Sequence, residues 1–171
     1  MRYLKDMQTI KRLLEGAERE ARGMGEEEPG AEHLLLSALQ LPDGAAQRLL
    51  GVHGVDHDRL RAAIIAEHAR ALVGIGMDEE HAKALASPRP LEPAQGGGVF
   101  HSRPSAQEAF RAAASLAQQR RRTALNGAHV VAAVAEMEHG TAARALDGLG
   151  IDRRGLAAAA RRAIDPESFS S

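Results

Sequence analysis

Cysteine is absent from the 171 residues, which excludes disulfides, thiolate nucleophiles and Cys-ligated zinc. Aromatic side chains are nearly absent as well: they make up 2% of the chain, as Tyr3, Phe100, Phe110 and Phe169. The 44% hydrophobic fraction is therefore carried by Ala, Leu, Val and Ile. That mixture suits helices packed through small side chains, whereas a β-sandwich would call for β-branched and aromatic residues. Neither sign of charge dominates. With 22 basic and 23 acidic residues the net charge is −1, so nothing at whole-chain level steers the protein to nucleic acid or anionic lipid. No run approaches the roughly 20 apolar residues that cross a bilayer. The opening "MRYLKDMQTIKRLLEGAERE" lacks the apolar stretch of a signal peptide. The expectation is an all-α, soluble, cytoplasmic protein with no membrane partner, long enough to bury a real core.

What the chain does contain is a repeat. An offset of 96 residues lays His33 on His129, Gly44 on Gly140, Ala46 on Ala142, Arg48 on Arg144, Leu50 on Leu146, Gly54 on Gly150, Asp56 on Asp152 and Leu60 on Leu156, without a gap. The same offset sets Leu14 over Phe110, Ala17 over Ala113 and Ala21 over Ala117, so the unit begins near the amino terminus.

Each unit reads as four helices, giving about eight in a pseudo-twofold arrangement. The first carries Ile10, Leu13, Leu14, Ala17 and Ala21 on one stripe and charges on the other, and stops in "GMGEEEPG". The second is apolar almost all round from Leu34 to Leu41, as a central buried helix should be, and ends at Pro42-Asp43-Gly44. A short third, "AAQRLLGVHG", directs Leu49, Leu50 and Val52 inward and closes at Gly54, a left-handed cap. Asp56 caps the fourth, which carries Leu60, Ile64 and Ile65 and runs to about Val73. The second unit repeats this as Pro104 to Arg122, Gly127 to Glu138, Thr141 to Leu149, and a helix capped by Asp152 reaching Ile164. Residues 1–75 then form the first repeat and 104–165 the second, with 166–171 as a frayed tail. Between them, in 76–103, one more short helix is capped by Asp78, and "SPRPLEPAQGGG" from Ser87 to Gly98 reads as an exposed linker.

"GAEHLLLSAL" followed by a Pro-Asp-Gly turn, "AAQRLL" and "GVD", and above all "GTAARALDGLGID" from Gly140 to Asp152, resembles the amino-terminal domains of Clp unfoldases. Those domains are duplicated four-helix units of this size, so the resemblance covers almost the whole chain. It implies a Clp N-type fold and a non-enzymatic module that binds proteins or peptides, with a Clp unfoldase or its substrates as partners, acting as adaptor, substrate receptor or decoy. The phosphate loop G-x-x-x-x-G-K-[ST] of the ATPase modules is not found, so the chain reads as a stand-alone domain without a motor or cofactor.

In the resembled family the Glu of this motif helps to bind phosphorylated arginine, which implies a guanidinium contact for Glu32, since a carboxylate accepts two parallel N–H bonds from that group. The second copy has Ala128 in its place. Met7 and Arg103 stand where the family places a hydroxyl for the phosphate, and these departures argue against phosphoarginine binding. Without a ligand, Glu32 is a carboxylate at a helix start, favoured by the macrodipole by about 0.3–1 kcal/mol.

Neutral imidazole both ligates metals and moves protons, so His33 and His129 could in principle form a metal pair or serve an enzyme as bases. Their equivalence in two copies favours an architectural reading, together with Gly44, Gly140, Asp56 and Asp152; no catalytic residue and no metal are expected. His53 and His57 have a ligand-like spacing but are separated by Gly54 and a new helix start, so they read as solvated turn residues. Glu26-Glu27-Glu28 reads as an exposed loop. The rival function is nucleic-acid binding or transcriptional regulation through Arg120-Arg121-Arg122, which lacks interleaved aromatics and suits a solvated helix end.

Overall fold

A computed structural model describes residues 2–93, 101–119 and 123–165. Among these residues there are nine helices: α1 (Arg2–Gly23), α2 (Ala31–Ala38), α3 (Ala45–Gly51), α4 (His57–Gly74), α5 (Glu79–Ala86), α6 (Pro104–Gln119), α7 (Gly127–Ala135), α8 (Thr141–Gly148) and α9 (Arg153–Ile164). The fold is an all-α duplicated repeat, with α1–α4 answered by α6–α9 and α5 added between the copies. No described helix is long and apolar enough to cross a membrane.

The periodicity of each segment decides where it sits. In α1, Leu13, Ala17 and Ala21 are buried while the charged face meets solvent. Every residue of α2 and α7 is buried, and these two helices pack against each other at the centre. Around them the copies interlock in exchange: α3 lies on α7 and α8 on α2, α4 on α8 and α3 on α9. One hydrophobic cluster draws on both copies, so the halves share a core.

The third helix of each copy ends in the same way. Val55 N–H donates to Leu50 C=O at 3.1 Å and Ile151 N–H to Leu146 C=O at 3.2 Å, with Gly54 at φ 69° and Gly150 at φ 75° making the reversal. The next helix is then capped by an aspartate: Asp56 accepts from Arg59 N–H at 2.8 Å and Asp152 from Arg154 N–H at 3.2 Å. Asp78 caps α5 through His81 N–H at 3.0 Å.

Several local expectations are corrected. The central helices are shorter than their apolar runs, because the chain tightens into turns after Ala38 and Ala135. Val52 is 84% exposed, since α3 ends at Gly51 and Val52 already belongs to the turn toward Gly54. His57 is not a solvated turn residue: it opens α4, and its Nε2 lies 2.6 Å from a Glu20 carboxylate oxygen on α1. The start of the linker is tied down, with Leu91 N–H on Arg22 C=O at 2.8 Å and Arg22 Nε on Glu92 C=O at 2.6 Å. Residues 94–98 of the linker, the arginine run 120–122 and the tail 166–171 lie outside the described residues.

Candidate functional site

The start of α2 builds a buried polar cluster. Gly30 precedes the helix in extended backbone, so its N–H has no helical partner, and His33 Nδ1 accepts from it at 3.0 Å. This is the return half of a capping box, with histidine in the place usually taken by Glu or Gln. The second copy repeats the bond: His129 Nδ1 accepts from Asn126 N–H at 3.2 Å. Asn126 adds what Gly30 cannot, a side-chain oxygen that accepts from Ala128 N–H at 2.9 Å. An accepting Nδ1 places the proton of the neutral ring on Nε2. Burial lowers the pKa of both imidazoles, that of His33 to about 3, where Arg103 and His68 add a smaller repulsion. Both rings are neutral at physiological pH.

Glu32 is 2% exposed. Its carboxylate faces the second copy's Arg103, whose Nη2 lies 3.1 Å from Glu32 Oε1 and also pairs with Glu26 Oε2. The position is fixed by backbone as well as charge, because Arg103 N–H donates to Pro29 C=O at 2.9 Å and Arg103 Nε to Glu28 C=O at 3.1 Å. Close by, Ser105 Oγ accepts from Ala31 N–H at 3.1 Å, so the first turn of α6 closes over the first turn of α2. Glu26 completes the cluster, with Oε2 at 3.2 Å from His33 Nε2 and Oε1 at 3.4 Å from His68 Nε2. Burial raises the Glu26 pKa above its ordinary value, against the lowering pull of Arg103 and His68.

Two chemistries can be weighed here. Glu26, Glu32 and His33 offer ligand atoms within 4.8 Å of one another, the bare requirement for a cation. The donor set does not fit one: His33 Nδ1 is engaged with Gly30 N–H and Nε2 holds the proton, so neither nitrogen has a free lone pair. The second chemistry is guanidinium recognition, and the carboxylates already perform it on Arg103 of their own chain. Glu32 Oε1 and His33 Nε2 make no well-aligned hydrogen bond, so the electrostatic attraction is used without full geometric satisfaction.

The other singled-out residues lie elsewhere. Gly44 and Gly140 precede α3 and α8 with φ 67° and 109°. His53 is exposed in the turn after α3. Met7 is half exposed on α1 and makes no part of the cluster. The sequence alone had not brought Glu26, His68 and Arg103 together. The available signal was reciprocal: at the offset of 96, Glu32 is exchanged for Ala128 and Arg103 for Met7, two opposite charges for two uncharged residues.

The family model of the Clp repeat (R) N-terminal domain matches residues 7–87. Among solved structures, the N-terminal domain of the caseinolytic protease associated chaperone ClpD from Arabidopsis thaliana is similar with a TM-score of 0.56 at 20% identity, covering 90% of both chains. A chain from preliminary structural investigations of a malarial protein secretion system is similar with a TM-score of 0.59 at 13% identity, covering 92% of both. A search of curated proteins found no match. At these identities the structures establish a shared fold over both copies, while the family match rests on the first copy and the helix after it. Residues 7–87 thus carry the match to the Clp repeat N-terminal domain family, which supports a Clp-associated protein-interaction module, and over both copies the chain shares the fold of such domains.

Proposed function

We propose that the protein is a non-catalytic adaptor, substrate receptor or ligand-sequestering decoy of Clp-dependent proteolysis, one that does not read phosphoarginine through Glu32. The observation that carries this reading is Arg103. A guanidinium already lies against the carboxylate that would receive a ligand's guanidinium, held there by backbone bonds to Pro29 and Glu28. A ligand at that position would have to displace a paired cation and desolvate its own. The family match over residues 7–87 supports protein binding in general, and the outer helical faces remain open to it.

A degradation assay separates the roles. The chain is added in increasing amounts to a Clp unfoldase and its protease working on a fluorescent substrate. An adaptor or receptor raises the degradation rate, and a decoy lowers it until substrate or unfoldase is added in excess. An unchanged rate across the titration overturns the reading. Calorimetric titration with phosphoarginine is expected to give no heat of binding, and a saturable heat abolished by Glu32→Ala would restore the ligand role of Glu32.

A further inference from the structure

The outer face of α1 carries Lys5, Arg12 and Arg19 at intervals of seven residues, which brings the three side chains back to within about 20° of one line along the helix. All three are exposed, and among the described residues none is held by an ion pair. Their neighbour Glu15 stands on the far flank of the row, 4.0 Å from Lys11. On the near flank, two cavities of 390 and 360 Å³ follow one another between α1 and the α2–α3 loop. They share Arg12 and Pro42, so they are two lengths of one groove. Its floor is made by Gly16 and Ser37, which pack directly on each other, and its wall by Leu41 and Pro42.

We infer that this groove is a docking surface for an acidic peptide segment of a protein partner. Charge complementarity sets the chemistry, because three unpaired cations line the channel against a single carboxylate, that of Asp43, whose Oδ1 already accepts from Ala45 N–H and Gly127 N–H, in a chain whose overall charge is −1. Spacing sets the form. Seven helical residues separate neighbouring cations by about 10 Å, which an extended chain covers in about three residues. A segment in the polyproline II conformation, which returns every third side chain to one face at about 3.1 Å per residue, would with Glu or Asp at every third position meet each cation in turn, its apolar side chains flanking them toward Leu41 and Pro42. A nucleic acid is the poorer fit: no aromatic side chain lines the channel for a base to stack on. The inference rests on the protein-binding reading above and gives it a surface.

The test uses a fluorescein-labelled peptide of four Glu-Leu-Pro repeats, whose prolines hold it extended, measured by anisotropy on the whole chain. Binding is expected to weaken with added salt. Arg12→Glu, at the centre of the row, should weaken it by roughly tenfold or more, and the triple exchange of Lys5, Arg12 and Arg19 to Glu should abolish it. Lys83→Glu, a cation of α5 outside the groove, should leave it unchanged. Circular dichroism shows that each variant folds, which the exposure of the three residues favours. Equal binding of a Lys-Leu-Pro peptide, an Arg12→Glu variant that binds as well as the parent, or tighter binding of a single-stranded oligonucleotide at the same salt would each overturn the proposal. A chain that alters degradation rates but ignores the peptide removes this surface and leaves the module reading; one that binds the peptide but leaves degradation unchanged does the reverse.

Discussion

The two copies open their central helices with the same histidine bond, yet they meet each other through opposite chemistry. In the first copy Glu32 is buried against the second copy's Arg103. At the equivalent positions of the other junction stand Ala128 and Met7. Each junction is self-consistent: a carboxylate occurs where a guanidinium can reach it, and neither charge occurs where the other is missing. Duplication supplied one architecture twice, with two opposite charges at these positions in one junction and none in the other. Exchanging both members of a buried ion pair is nearly neutral, whereas removing one strands a charge.

The largest consequence follows at Arg103. Arg103→Met places the second junction's residue in the first and leaves Glu32 Oε1, which has no aligned hydrogen bond, without its cation. A loss of about 3 kcal/mol in urea unfolding is expected, near the low end for a broken buried pair because Arg103 itself is partly exposed. Adding Glu32→Ala to that variant should recover more than half of the loss. A double variant whose loss equals the sum of the singles would show that the pair is not compensated.

A second difference lies where α1 crosses α2. Gly16 is buried, and a Cβ built on it would overlap the Ser37 hydroxyl, which donates to Leu13 C=O at 2.8 Å. The second copy has Ala112 and Ala133 at these positions, one added carbon and one lost oxygen. Gly16→Ala alone should cost about 2 kcal/mol through overpacking. Combined with Ser37→Ala it should cost measurably less than the two singles together, although the Ser37 Cβ, 3.1 Å from the new carbon, still has to give slightly. A thermal-melting cycle reads the coupling, and simple additivity would mean that the two copies differ here for another reason.

The helices were legible because their causes are local. The stripe of α1, the apolar α2 and α7, the glycines that end α3 and α8 and the aspartates that cap α4 and α9 each act within a few residues of themselves. Val52 misled because apolar character says nothing about which side of a turn a residue falls on. The site was less legible. Arg103 stands 71 positions after Glu32, and its reach to Glu26 and Glu32 depends on α6 closing over α2, which only the packed core determines. The exchange pattern between copies held the clue, since two changes that read separately as losses of a ligand site are the two halves of one contact.

The smallest expected difference concerns acid. Both histidines have pKa values lowered by burial, so in each case the unfolded chain takes up a proton that the folded one refuses. For such a group the stability is complete above the unfolded value of 6.5 and is lost as pH falls, for His33 down to about 3. One pH unit below the unfolded value the loss is about 1 kcal/mol for His33. His129 should lose less, because the Asn126 bond and the carboxylates of Asp43 and Asp6 oppose the effect of burial there, whereas Arg103 and His68 reinforce it at His33. Glu26 works in the opposite sense, since its raised pKa lends stability that is present at low pH and disappears as pH rises through the folded value. Glutamine in place of either histidine keeps an acceptor for the capping bond and does not titrate. Unfolding free energy measured between about pH 7 and pH 5.5 should therefore fall less steeply in His33→Gln than in the parent, with a smaller flattening in His129→Gln. Equal flattening in the two variants would mean that the burial shared by the copies, and not the ion pair that distinguishes them, governs the response to acid.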